Sequence, residues 1–149
     1  FREALEAALR ESNIRITHSA QVYVVNLLKE FSRSEVAFAG TDYGEKVIMA
    51  DLYQRATKAD GQEALQIYRH LGDSSLYLLG FFEESGAQRI VSDSYYRDMG
   101  AQAYFQTSCL SRSHTTNGAA LFMELSERFT DLVKVIVIIS KYGNIKAQL

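Results

Sequence analysis

The chain has 149 residues, 47% of them hydrophobic and 23% charged, with a formal net charge of -2. That length suits one domain around one core, and the ordinary apolar-to-charged balance excludes wholesale disorder. The 16 Lys and Arg are scattered among 18 Asp and Glu, so no basic patch announces a nucleic-acid partner.

A single cysteine, Cys109, rules out an internal disulfide framework and suits a reducing, cytoplasmic setting. No apolar run approaches the roughly 18 residues that cross a bilayer, so no membrane insertion is expected. The opening FREALEAALRE reads as helix and lacks the charged, apolar and small-residue order of a secretory signal. Proline is absent, where average usage of about 5% would give roughly seven, and its absence favours long helices.

In chain order, Ala4, Leu5, Ala8 and Leu9 fall at helical spacing and predict an amphipathic helix over 2–12. The alternation in NIRIT, 13–17, is too short to found a sheet and reads as a connector. Thr17 or Ser19 can cap the next helix, about 19–33, with Val22, Val25, Leu27 or Leu28, and Phe31 inward and Tyr23 and Val24 broadening that face. Gly, Thr and Asp make 34–44 a loop. Helical spacing resumes over 45–58 through Val47, Ile48, Ala50, Leu52 and Tyr53.

The stretch LGDSSLYLLGFFEESGAQRIVSDSYYRDMGAQAYF, 71–105, organises the rest. It predicts a central antiparallel helix pair, about 61–84 and 93–110. Gly80 and Gly100 each cost roughly 1 kcal/mol against Ala inside a helix, which points to close approach, with room for Tyr95, Tyr104 and Phe105. Gly72 followed by Asp73 carries the signature of a stop and a capped restart, so a kink or break is expected there, with a kinked single helix preferred because Leu71 and the apolar residues from Leu76 onward share one face. A final long helix, 118–142, takes Phe122, Leu125, Phe129, Leu132, Val133, Ile136 and Ile139 inward and closes at Gly143. The β-branched VIVII run at 135–139 is not read as a strand, because it has no partner strand elsewhere. The fold class expected is all-α, an irregular bundle of five to seven helices in a single domain over 1–149.

Chemistry is sparse. His18, His70 and His114 are far apart in sequence, and the Glu-x-x-His pattern of bundle-type metal sites is missing. His70 and Asp73 share a helix face, but an Asp73 cap and a partly exposed His70 explain both without catalysis. The serines near His70 and His114 lack a nucleophile elbow, and Cys109 reads as a buried, inert thiol. No phosphate-cradling glycine loop occurs. Nine tyrosines, with Tyr68, Tyr77, Tyr95, Tyr96 and Tyr104 around the central pair, either cover the core edge or line a pocket mouth.

The segments VYVVNLLKEF (22–31), LGDSSLYLLGFF (71–82), Arg89 and YYRDMGAQAY (95–104) together resemble an uncharacterised family of cytoplasmic bacterial all-helical proteins, over residues 20–140. The resemblance implies a bacterial cytosolic helical fold and carries over no catalytic residue. Gln88 stands where a second arginine beside Arg89 would complete an anion site.

The functional expectation is a non-enzymatic interaction or regulatory module without a cofactor or metal. Its partner would be another protein or a second copy, and the stripe Val135, Ile138 and Tyr142 on the last helix offers residual apolar surface. The alternative is a small-molecule sensor with a tyrosine-lined apolar pocket beside the Gly80/Gly100 crossing. His70, Asp73, Tyr77, Arg89, Tyr95 and Tyr104 form the candidate ligand or partner face.

Overall fold

A computed structural model of the chain describes the backbone of residues 1–33, 42–82, 93–112 and 116–148, and the side chains of 1–33, 49–81, 94–112 and 118–142. Among the described residues seven α-helices follow one another: α1 (Arg2–Ser12), α2 (His18–Arg33), α3 (Asp42–Lys58), α4 (Gly61–Phe82), α5 (Asp93–Ser111), α6 (Thr116–Glu127) and α7 (Phe129–Gln148). The described residues contain no strand. The loop expected over 34–44 lies mostly outside the described residues, as does Arg89.

α4 is the hub and packs most extensively on α5, then on α7 and α3. The pairings that join the first two run in opposite directions along the chain, Gly72 beside Tyr104 and Ser75 beside Gly100, so α4 and α5 are antiparallel. At Gly80 and Gly100 the nearest side chains come from α7. A Cβ added at Gly80 would lie 2.6 Å from Ile136 Cβ, and one at Gly100 would lie 2.7 Å from Phe129 Cε2 and 2.9 Å from Ser75 Cβ. The expected close approach exists, and α7 joins it: Ser75 of α4 meets Gly100, while Ile136 and Phe129 of α7 fill the rest of the space at the two glycines.

Local chemistry sets the element ends. Asn13 takes the left-handed conformation (φ 57°) and closes α1, with the Ile14 N–H donating to Leu9 O at 3.1 Å. Thr17 begins α2: its Oγ1 accepts the Ala20 N–H at 3.2 Å. The Glu124 carboxylate of α6 accepts the Thr17 N–H at 2.9 Å and also its hydroxyl, which fastens the α1–α2 elbow to α6. On α2 the inward side chains are Ala20, Val24, Leu27, Leu28 and Phe31. Val22, expected inside, is 46% exposed, because the stripe that meets the core starts from Ala20 and repeats at helical spacing.

Of the two alternatives at Gly72-Asp73, the single helix is the one formed: α4 runs unbroken through both residues, so the glycine and aspartate neither stop nor restart it. One further expectation is corrected. The expected last helix is two elements, divided at Arg128, and α7 continues beyond Gly143. Arg128 donates to Arg15 O at 2.8 Å and pairs with Asp131 at 3.1 Å, which ties the joint to the α1–α2 elbow. Phe122, Leu125, Phe129, Leu132, Val133, Ile136 and Ile139 are all buried as the spacing predicts.

The second stripe expected on the last helix is largely internal. Val135 is fully buried and Ile138 packs against the core, while the exposed Tyr142 donates its hydroxyl to Glu11 Oε2 at 2.9 Å. The α1–α7 contact accounts for that surface. α6 is held on α5 by two serine clasps, Ser108 Oγ to Ala119 O at 2.6 Å and Ser126 Oγ to Ala101 O at 2.7 Å. Their opposite chain order makes this pair antiparallel too.

Candidate functional site

Asp73 sits in the interior of α4, with Leu71 and Gly72 buried on one side and Ser74, Ser75 and Leu76 buried on the other. A carboxylate in such a setting needs donors. Two phenols supply them: Tyr23 of α2 and Tyr104 of α5 both donate to Asp73 Oδ1 at 2.7 Å. Gly72 makes this possible, because a Cβ there would meet the Tyr104 ring at 2.6 Å. The Gly-Asp pair is therefore a seat for a ring followed by an acceptor for its hydroxyl.

An aromatic cluster encloses the triad. Tyr23 meets Phe122 edge-on with ring centroids 5.4 Å apart, and Tyr104 stacks on Phe122 at 6.0 Å. Burial pushes the Asp73 carboxyl above its ordinary range, against the opposing pull of the two phenol hydrogen bonds and of Arg69 and His70. Burial likewise raises both phenols, and the nearby Asp73 charge raises them further. The arrangement holds a proton tightly and joins three helices.

The six candidate residues separate into groups. Asp73 and Tyr104 meet, as just described. His70 is exposed on α4 and stacks on Phe31 with centroids 6.2 Å apart, so it shares the neighbourhood of Asp73 while its ring packs elsewhere. Tyr77 is buried between Phe31 and Phe81, at 5.2 and 4.7 Å. Tyr95 is 37% exposed and stands edge-on to Tyr96 at 5.7 Å. Arg89 lies outside the described residues. Among the described residues Tyr77 packs in the core and Tyr95 lines a surface recess, and Ile136 and Phe129 occupy the space above Gly80 and Gly100.

Tyr23 is the functional neighbour that sequence reasoning passed over, as a residue merely broadening the α2 face. The available signal was an acidic residue within the apolar run of α4 in a chain with nine tyrosines. Cys109 is half-buried rather than buried. Among the described residues no three His, Cys, Asp or Glu gather as metal ligands, and no helix is long and apolar enough to cross a membrane.

The surface offers a different arrangement on α5. Tyr95, Asp98, Gln102 and Phe105 are all exposed and follow one line along the helix, at alternating steps of three and four. A recess of about 420 Å³ between α3 and α5 lies on one side, lined by Tyr53, Tyr95, Asp98 and Met99. A recess of about 430 Å³ between α5 and α6 lies on the other, lined by Asp98, Gln102, Phe105 and Ser126. Comparison of the chain with protein-family models, curated proteins and solved structures gives no match.

Proposed function

We propose that the chain is a cytoplasmic, non-enzymatic interaction module that engages another protein through the outer ridge of α5. One observation carries this reading: Tyr95 and Phe105, at 37% and 39% exposure, stand on a single ridge with a recess on each flank. Large aromatics beside concavities are what interface hot spots use. The half-buried Asp73 triad supports the reading from the other side, since its hydrogen bonds join α2, α4 and α5. Cytoplasmic residence rests on the lone cysteine.

A photo-crosslinking residue placed at position 105, in cells that make the protein, tests it. A discrete crosslinked protein product is expected there and not from the same probe at exposed Lys29 of α2. Absence of product at 105, or equal product at both positions, overturns the reading. A second reading, a binder of small apolar molecules, is favoured by the tyrosine-lined recess between α3 and α5 alone. It predicts that an environment-sensitive apolar dye is displaced by ligand from wild-type protein but not from Tyr53→Ala.

A further inference from the structure

We infer that the recess between α3 and α5 is a binding site for an alkylammonium group. Ala50, Tyr53 and Gln54 of α3 and Tyr95, Asp98 and Met99 of α5 line its volume of about 420 Å³. That size falls within the roughly 300–1,000 Å³ of small-molecule sites. The inference concerns this recess alone and goes beyond the reading of the ridge as a protein interface.

The lining selects the charge of the ligand. Two phenol rings and a thioether supply polarisable apolar surface, and Asp98 supplies a carboxylate. Asp98 is exposed and has no ion pair among the described residues. No Lys, Arg or His among them lines the recess. An anionic ligand would meet a like charge there. A metal ion takes several oxygen or nitrogen ligands, and no three His, Cys, Asp or Glu gather among the described residues. An organic cation needs only what is present: a carboxylate, and ring faces within about 6 Å of its charge, with Met99 adapting to its methyl or methylene groups.

Each ring is braced by a buried tyrosine. Tyr53 stands edge-on to Tyr68 of α4 at 6.2 Å, and Tyr95 edge-on to Tyr96 at 5.7 Å. Rings held in this way lose little freedom when a ligand enters. Two other recesses lack the combination. The one at the α1–α2 elbow sets Arg10 and Arg15 beside Glu6 without an aromatic ring. The one between α5 and α6 shares Asp98 but has a single ring, that of Phe105.

The test titrates the purified chain, at constant ionic strength, with choline and with its uncharged analogue that has carbon in place of nitrogen. The amide NMR signals of Tyr95, Asp98 and Met99 report occupancy. Choline is expected to bind about ten-fold more tightly than the analogue. Asp98→Asn, at an exposed position, should weaken choline about five-fold and leave the analogue unchanged. Phe105→Ala, which alters the α5–α6 recess instead, should change neither. Equal affinity for the two ligands, or an Asp98→Asn variant that binds choline as well as wild type does, overturns the inference. So does the absence of any shift with choline up to about 50 mM, the range a ligand of this size requires. A capped Gly-Lys-Gly peptide separates the two sources of the group. Tighter binding than choline assigns the ammonium to a lysine side chain of a protein partner, and weaker binding assigns it to a free amine. Crosslinking from position 105 does not depend on these outcomes, so the ridge reading and the cation site can fail separately.

Discussion

Asp73 shows how one acidic side chain can be accommodated inside an apolar helix. Its carboxyl is held above its ordinary pKa by burial, so the folded chain binds that proton more tightly than the unfolded chain. The stabilising contribution is complete below the unfolded carboxyl value of about 3.9 and is lost as pH rises through the raised folded value. Asp73→Asn keeps an oxygen for the phenols and removes the titration. Relative to this variant, wild type is therefore expected to lose thermal stability as pH rises above about 4. A wild-type advantage that grows over that range in parallel melting curves would refute the assignment. Tyr104→Phe deletes one phenol donor at a fully buried ring. Removing one partner of a buried hydrogen bond costs about 1–3 kcal/mol, and urea unfolding should report a loss in that range.

At the scale of elements, small residues matter for what they admit. Gly80→Ala would raise helix propensity by about 1 kcal/mol on an exposed helix. Here the new methyl meets Ile136, a β-branched side chain that is itself fully buried. Overpacking of this kind costs typically 1–3 kcal/mol, so the variant should be destabilised by about 1–2 kcal/mol in chemical denaturation. The existence and order of the helices were legible because apolar residues recur at helical spacing, from Leu5, Ala8 and Leu9 in α1 to Leu132, Ile136 and Ile139 in α7. The joint at Arg128 was not, because Phe122, Leu125, Phe129 and Leu132 keep that spacing across it. The backbone also bonds through it, Arg128 N–H to Glu124 O and Leu132 N–H to Arg128 O, both at 2.9 Å. Gly72 and Asp73 sit inside one continuous helix for a tertiary reason. A ring from α5 occupies the space above the glycine, and phenols from two other helices satisfy the aspartate.

For the whole molecule, the central antiparallel pair was legible in two glycine-bearing apolar segments, but which element fills the glycine sites was not, since sequence spacing does not say which helix comes to rest there. The candidate face was legible only in part. Asp73 and Tyr104 proved to be neighbours, whereas Tyr77 joined the core and Tyr95 the outer ridge of α5. That ridge escaped notice because its members are two aromatics, an acid and an amide, which no hydropathy pattern singles out.

Ile136 and Phe129 stand seven residues apart on α7, almost two full turns, and each enters the space left by a glycine on a different helix. α7 consequently gauges the separation of α4 and α5. One residue inserted between the two would swing one side chain about 100° around the axis, so that no placement of α7 could seat both. Length changes in this chain therefore belong in its connectors, and the middle of its last helix is a fixed measure.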